Sequence, residues 1–230
     1  MKSKLVLWDI DGTLLDDGGI AQEAFSVVIR DILGSGSVIT IETSGKTDLK
    51  IISELLITNG LPKEALTNDL INDTLENYFR YYCAKTKQFM GRLYPGIKEI
   101  LEVLDKSEVT FQGLVTGNIK KLAYFKLSRF GIARYFKVGG FGDDSYYRQK
   151  IAKRAIERAN KAFNKNFQDS DIYIVGDTVF DIKCGKVLNA ITVGVATGST
   201  AAINLKRAGA DYVFQDLSEY AYCLRALKLV

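Results

Sequence analysis

Five short apolar runs, separated by stretches with helical spacing, constrain this chain more than any other feature. They are KLVLW (4–8), VTFQGLVT (109–116), DIYIVG (171–176), AITVGVA (190–196) and DYVF (211–214). Each is rich in β-branched or aromatic residues and mostly apolar at successive positions. Such a run has two apolar faces, as a strand buried between two layers requires. Between the runs, Ile97, Ile100, Leu101 and Leu104 recur at helical spacing, and so do Ile151, Ala152, Ala155, Ile156, Ala159 and Phe163. In YPGIKEIL, Pro95 stands near a helix start, where its missing N–H costs little. Alternation of this kind predicts an α/β fold: a doubly wound, Rossmann-like parallel sheet with helices on both faces.

Residues 16–91 depart from that alternation. They carry three helical stripes: Phe25, Val28, Ile29, Ile32 and Leu33; then Leu49, Ile52, Leu55 and Leu56; then Leu66, Leu70, Leu75, Tyr78, Phe79 and Tyr82. The pattern predicts a helical cap domain over 16–91, inserted into a core domain made of 1–15 and 92–230. DDGG (16–19) and FMGRLYPG (89–96) are its expected hinges. GSG (34–36) is expected to end a helix, and the aromatic run YFRYY (78–82) to pack inside the cap.

Several function classes are excluded or disfavoured at this level. The 230 residues carry a net charge of only +4, with lysines and arginines scattered, so no nucleic-acid partner is expected. No apolar run approaches the roughly 20 residues that span a bilayer, so no membrane partner is expected either. The three cysteines are widely spaced, without a CxxC pair, which argues against a disulfide framework or a zinc site. A reducing, cytoplasmic setting is expected, and KLVLWDI is too short and too soon acidic for a signal peptide. The chain has no histidine, which removes Ser-His-Asp and Cys-His nucleophile systems. Acid–base chemistry then falls to carboxylates, lysine, tyrosine or cysteine.

Open parallel sheets bind ligands beyond the carboxyl ends of their strands. The first run ends at Asp9, Asp11 and Thr13, in WDIDGT. The second ends at Thr116, Gly117 and Asn118, and VGDTVFD ends at Asp177 and Asp181. One such residue alone would be an ordinary turn or helix-cap group. Three clusters at one sheet edge call for another explanation, because gathered carboxylates repel unless a cation sits among them. Hard oxygen donors of this kind suit Mg2+, which would hold Asp9 and Asp177 ionised and draw in phosphate oxygens.

DIDGTL, LVTGN and VGDTVFD, in this order and with helices inserted after the first, resemble the signature motifs of the haloacid dehalogenase superfamily. The likeness is to its phosphatase branch, and within it to phosphoglycolate phosphatase-like members with a helical cap. It spans essentially the whole chain. The resemblance implies a Mg-dependent phosphatase that acts on a small phosphorylated metabolite through an aspartyl-phosphate. Asp9 would be the nucleophile and Asp11 the general acid–base, with Asp9, Asp11 (through its carbonyl) and Asp177 as metal ligands. Asp181 would serve the metal directly or through water. Thr13, Thr116 and the N–H groups of Gly117 and Asn118 would hold the phosphate. Many members carry Lys-Pro before the next helix; here FGDDSYYRQK has no proline and looks like a less common branch that uses an arginine. Arg148 is then the expected phosphate-stabilising cation, with Lys150 second. A monomer or homodimer is expected.

GKT (45–47) is not a P-loop, because Thr40 stands where that loop needs a glycine. Lys46 lies instead at a predicted helix start, where substrate contact and a helix-capping loop are both open readings. Asp11 argues against dehalogenase chemistry, and the lack of histidine against a phosphomutase; a phosphonatase would need a cap lysine as a Schiff base. The reading from another class is a non-catalytic phosphate-binding or regulatory module on the same fold.

Overall fold

In the computed structural model, residues 2–34, 36, 43–88 and 91–229 are described. Part of the predicted GSG turn and the Phe89–Met90 end of the second hinge lie outside them. The first strand, β1 (Lys4–Trp8), has Leu5, Val6, Leu7 and Trp8 at most 1% exposed, so both its faces are covered. The small strand β2 (Leu15–Asp16) follows, then the helices α1 (Ile20–Leu33), α2 (Asp48–Thr58) and α3 (Asn68–Lys85). The chain returns through β3 (Arg92–Leu93), α4 (Ile97–Asp105), β4 (Thr110–Val115) and α5 (Lys120–Arg129). Next come β5 (Gly139–Gly140), α6 (Arg148–Phe163), β6 (Ile172–Gly176) and α7 (Val179–Val187). The last elements are β7 (Ile191–Val195), α8 (Ala202–Arg207), β8 (Tyr212–Phe214) and α9 (Tyr220–Ala226).

Six strands form one parallel sheet in the order β5-β4-β1-β6-β7-β8. Side chains alternate along each strand and so serve two cores. Val6 and Trp8 join α4, α5 and α9 on one face, and Leu5 and Leu7 join α6 and α7 on the other. The chain winds outward from β1 through β4 to β5, then resumes on β1's other side at β6. That reversal opens a crevice beyond the carboxyl ends of β1, β4 and β6. Register fixes what meets there, since Trp8 pairs with both Leu114 and Val175.

The helices α1–α3 bury their own apolar cluster, which takes in Ile119 and Leu122 at the start of α5. The predicted stripes face it, except that Ile32 at the end of α1 is 36% exposed. Within it Phe25 and Tyr78 stack at 4.0 Å between ring centroids.

Two elements escaped the sequence pattern. The strand β5 is only Gly139–Gly140, too short and too poor in side chains to show an apolar run. The pair β2–β3 joins Leu15 to Leu93 and Asp16 to Arg92 in antiparallel register, where bendable connections were expected. Leu93 and Leu15 lie in or against the core cluster, and an Arg92–Asp16 ion pair at 3.4 Å adds to it.

Candidate active site

The ends of β1, β4 and β6 and the start of α6 line a cleft of about 240 Å3, closed on its far side by α1–α3. Asp9 follows β1 directly, and its N–H donates to the Val175 carbonyl at 2.9 Å, which keeps it in the strand's line. The chain then turns at Gly12, whose φ of +81° is a left-handed conformation. A Cβ there would also lie 2.4 Å from the Asp177 carboxylate, so glycine is needed on two counts. The same carboxylate leaves no room for a Cβ on Gly198. Thr13 is fully buried and donates to Asp177 Oδ1 at 3.2 Å. It therefore orients a carboxylate and does not line the cleft.

Asp9, Asp177 and Asp181 are 6%, 3% and 0% exposed, with ligand-capable oxygens all within 4.8 Å of one another. Arg148, from the first turn of α6, reaches Asp9 Oδ1 at 2.9 Å and Asp181 Oδ1 at 2.6 Å. One guanidinium against three buried carboxylates leaves the cluster short of positive charge. Burial above all raises the pKa of Asp9; Arg148 opposes it and the neighbouring acids add to it. Burial likewise raises Asp177, with Asp181 and Asp9 reinforcing it. A divalent cation would supply the missing charge, and a buried set of hard oxygens with a glycine cradle fits Mg2+. Asp181 is mostly spoken for: its Oδ2 accepts from the N–H and hydroxyl of Thr178 in a capping box at the start of α7. Its remaining oxygen faces Arg148.

Thr116 and Asn118 extend from β4. The Thr116 hydroxyl accepts from the Asn118 N–H at 3.2 Å and from Asn118 Nδ2 at 2.9 Å. The Asn118 amide therefore lies within this turn, and Asn118 Nδ2 also donates to Asp11 Oδ2 at 2.6 Å. Gly117 brings the sheet edge against the helical layer. Its carbonyl accepts from Asp48 N–H at 2.9 Å, and a Cβ on it would meet the Lys46 carbonyl at 2.1 Å.

Lys46 lines the cleft with its ammonium on Glu54 at 2.7 Å, and Thr47 beside it caps α2. Lys150 is exposed, its ammonium 5.3 Å from the centre of the Tyr147 ring, and it does not line the cleft. Of the two expected phosphate cations, the fold brings only Arg148 to the carboxylates.

Asp17, Asp48, Tyr78 and Lys126, none of them among the expected site residues, line the same cleft. Lys126 is 1% exposed, with Asp11 oxygens at 2.7 and 2.8 Å and Asp17 at 3.4 Å. Burial alone would lower its pKa, yet Asp11 and Asp17 outweigh that and hold the ammonium charged. Asp17 also accepts from Gly19 and Ala21 N–H groups at the start of α1. Asp48 Oδ2 accepts from Ile119 N–H at 2.8 Å, and burial pushes its pKa up to about 7. Lys126 carried a signal: it occupies a buried position of α5 beside Leu122, Ala123 and Leu127, where an apolar residue belongs. Tyr78 did not, being one aromatic in a packing stripe.

Residues 6–195 match the family model of haloacid dehalogenase-like hydrolases. Phosphoglycolate phosphatase of Vibrio parahaemolyticus is 28% identical over 94% of this chain and 93% of its own. Pyrophosphatase PpaX of Listeria monocytogenes is 22% identical over 97% of each chain. Among solved structures, β-phosphoglucomutase of Clostridium difficile superposes with a TM-score of 0.75 at 19% identity, over 99% of this chain and 98% of that one. No helix among the described residues is long and apolar enough to cross a membrane.

Proposed function

The chain belongs to the haloacid dehalogenase-like hydrolase family, in its phosphatase branch, and we propose that it hydrolyses a small phosphomonoester with Mg2+ as cofactor. The observation that carries the reading is the buried cluster of Asp9, Asp177 and Asp181 around Arg148, of which Asp9, Asp177 and Arg148 line a small cleft.

Mg2+ on Asp9, Asp177 and the Asp11 carbonyl would neutralise charge on the phosphoryl oxygens. The chain's own groups do the rest. A carboxylate oxygen of Asp9 attacks phosphorus and forms an aspartyl-phosphate as the bond to the leaving oxygen breaks. Asp11, partly exposed at the rim, takes up a proton from solvent as the anionic phosphate enters beside it, gives that proton to the leaving alkoxide, and later takes one from the water that attacks the acyl-phosphate. That second displacement returns the Asp9 carboxylate and releases inorganic phosphate. Arg148 and Thr116 meet the equatorial oxygens, where positioning and charge stabilisation carry most of the catalysis. The pairing of Asp11 with Lys126 and Asn118 orients its carboxylate in the resting site. The layer α1–α3 acts as a cap that excludes water and contacts the leaving group.

The test is phosphate release from a panel of small esters, with Mg2+, with a chelator, and with Asp9→Asn. We expect Mg-dependent release that the chelator abolishes and that falls by at least about 10^3-fold in the variant. An Asp9→Asn protein as active as the parent would rule the mechanism out.

A further inference from the structure

We infer that the cleft selects a phosphate ester whose leaving alcohol carries a second, uncharged hydroxyl, and rejects one whose alcohol carries a carboxylate. This rests on the phosphatase reading and names the substrate class for it.

The charges around the cleft decide against an anionic leaving group. Each cation that lines it already has carboxylate partners: Arg148 has Asp9 and Asp181, Lys126 has Asp11 and Asp17, and Lys46 has Glu54. The helical wall adds Asp48, a buried acid whose hydrogen bond comes from a backbone N–H and which has no cation in ion-pair contact among the described residues. A carboxylate brought in beside it would be desolvated without a cation partner and would repel Asp17, and Asp48 wherever that acid is ionised.

The polar groups that remain suit a hydroxyl. Among the described residues the fully buried Tyr78 hydroxyl has no hydrogen-bond partner, and its ring is held against Phe25 at the cleft wall. Asp48, Asp11 and Asp17 line the same cleft, and with burial, the larger cause, they raise the pKa of Tyr78 well above the usual value. A buried polar atom left unmatched inside a cleft is a group for a ligand to satisfy. A substrate hydroxyl accepts from Tyr78 O–H and donates to a carboxylate at the same time, which a carboxylate cannot do. Phe25 and Ile51 supply apolar wall for the carbon frame, and about 240 Å3 holds only a few carbons beyond the phosphate. The chain thereby departs from relatives named for phosphoglycolate, whose leaving group is a carboxylate-bearing alcohol.

A matched pair of esters tests this: 2-hydroxyethyl phosphate and phosphoglycolate, which differ by CH2OH against a carboxylate, with acetyl phosphate as a general phosphatase probe. With Mg2+ we expect kcat/KM for the hydroxyethyl ester to exceed that for phosphoglycolate by about tenfold or more. Tyr78→Phe should shrink that ratio several-fold by lowering the hydroxyethyl value, and Asp48→Asn should shrink it by raising the phosphoglycolate value. A general folding loss scales both esters alike and leaves the ratio unmoved. Phosphoglycolate turned over as well as the hydroxyethyl ester, or a ratio unchanged in both variants, would overturn the inference while acetyl phosphate release upheld the phosphatase. No release from any of the three would overturn the phosphatase reading and this one with it.

Discussion

The two walls of the cleft are built on different principles. On the sheet side, Asp9, Thr116, Asp177 and Asp181 sit at strand ends and helix caps, and hydrogen bonds to backbone and neighbouring hydroxyls fix them. The Asp9 N–H is tied to Val175, Thr13 orients Asp177, and the capping box at Thr178 holds Asp181. On the helical side, Phe25 and Tyr78 are placed by an apolar cluster that meets the core at Ile119, Leu122 and Phe125, and Asp48 is tied across to Ile119 and Gly117. The first wall holds reacting groups at one geometry. The second is free to vary its chemistry while keeping its packing, so it is the wall on which members of one family can differ in substrate.

The sharpest way to break this contrast is to remove the ion that pins the sheet wall. Arg148→Met roughly keeps the volume but leaves Asp9 and Asp181 buried beside no cation. We expect a loss of about 3–5 kcal/mol in stability, because one half of a buried ionic cluster is removed while the other stays. For a chain of this size that is roughly 6–20 °C in Tm. Phosphate release should fall by at least about 10^2-fold as well. An unchanged melting curve would mean that the carboxylates do not depend on Arg148 and that the wall is less rigid than its contacts imply.

A smaller effect separates the walls by pH. Asp48 has a folded pKa of about 7, above its ordinary 3.8. Between those values the folded state binds more protons than the unfolded one, so stability falls as pH rises from about 4 to about 7 and is level above. Its contribution is of order a few kcal/mol, and Asp48→Asn should remove it. The raised Asp9 and Asp177 give metal-free protein a further slope of the same sign. Added Mg2+ should flatten that part alone, since it favours their ionised forms. Melting curves at pH 5 to 8, with and without Mg2+, read both slopes. If Mg2+ left the wild-type slope unchanged while raising Tm equally at every pH, the metal would not be acting through those carboxylates.

The same contrast explains what was legible in the sequence. The sheet wall is encoded locally: an apolar run fixes a strand, the strand fixes where its last residues emerge, and a polar residue there stands out. Asp9, Asp11, Thr116, Asp177 and Asp181 were all visible on that ground. The helical wall is encoded through tertiary contacts. Tyr78 occupies a stripe position like any core aromatic, and only the packed structure shows that it lines the cleft. Asp48 looks like a favourable first-turn acid after a Thr47 cap until Ile119 N–H is found on it. Lys126 alone left a trace, as a cation in an apolar stripe. The β2–β3 pair was hidden for a related reason, since two residues on each side carry no period to read.

The smallest expected effect concerns the choice between two cations that the sequence left open. Arg148 and Lys150 lie two residues apart at the start of α6, and two residues on a helix are about 200° apart around its axis. If one faces the sheet edge, the other faces away. Which one faces inward is settled by the apolar stripe of the same helix: Ile151, Ala152, Ala155 and Ala159 are all buried, and Arg148 stands three and four residues before Ile151 and Ala152 on that face. Lys150 is left exposed, against Tyr147. Lys150→Ala should therefore change kcat/KM by less than about twofold and stability by less than about 0.5 kcal/mol, as an exposed substitution does. A tenfold loss of phosphate release in Lys150→Ala, with Tm unchanged, would place the working cation on the other side of the helix and undo the assignment of Arg148.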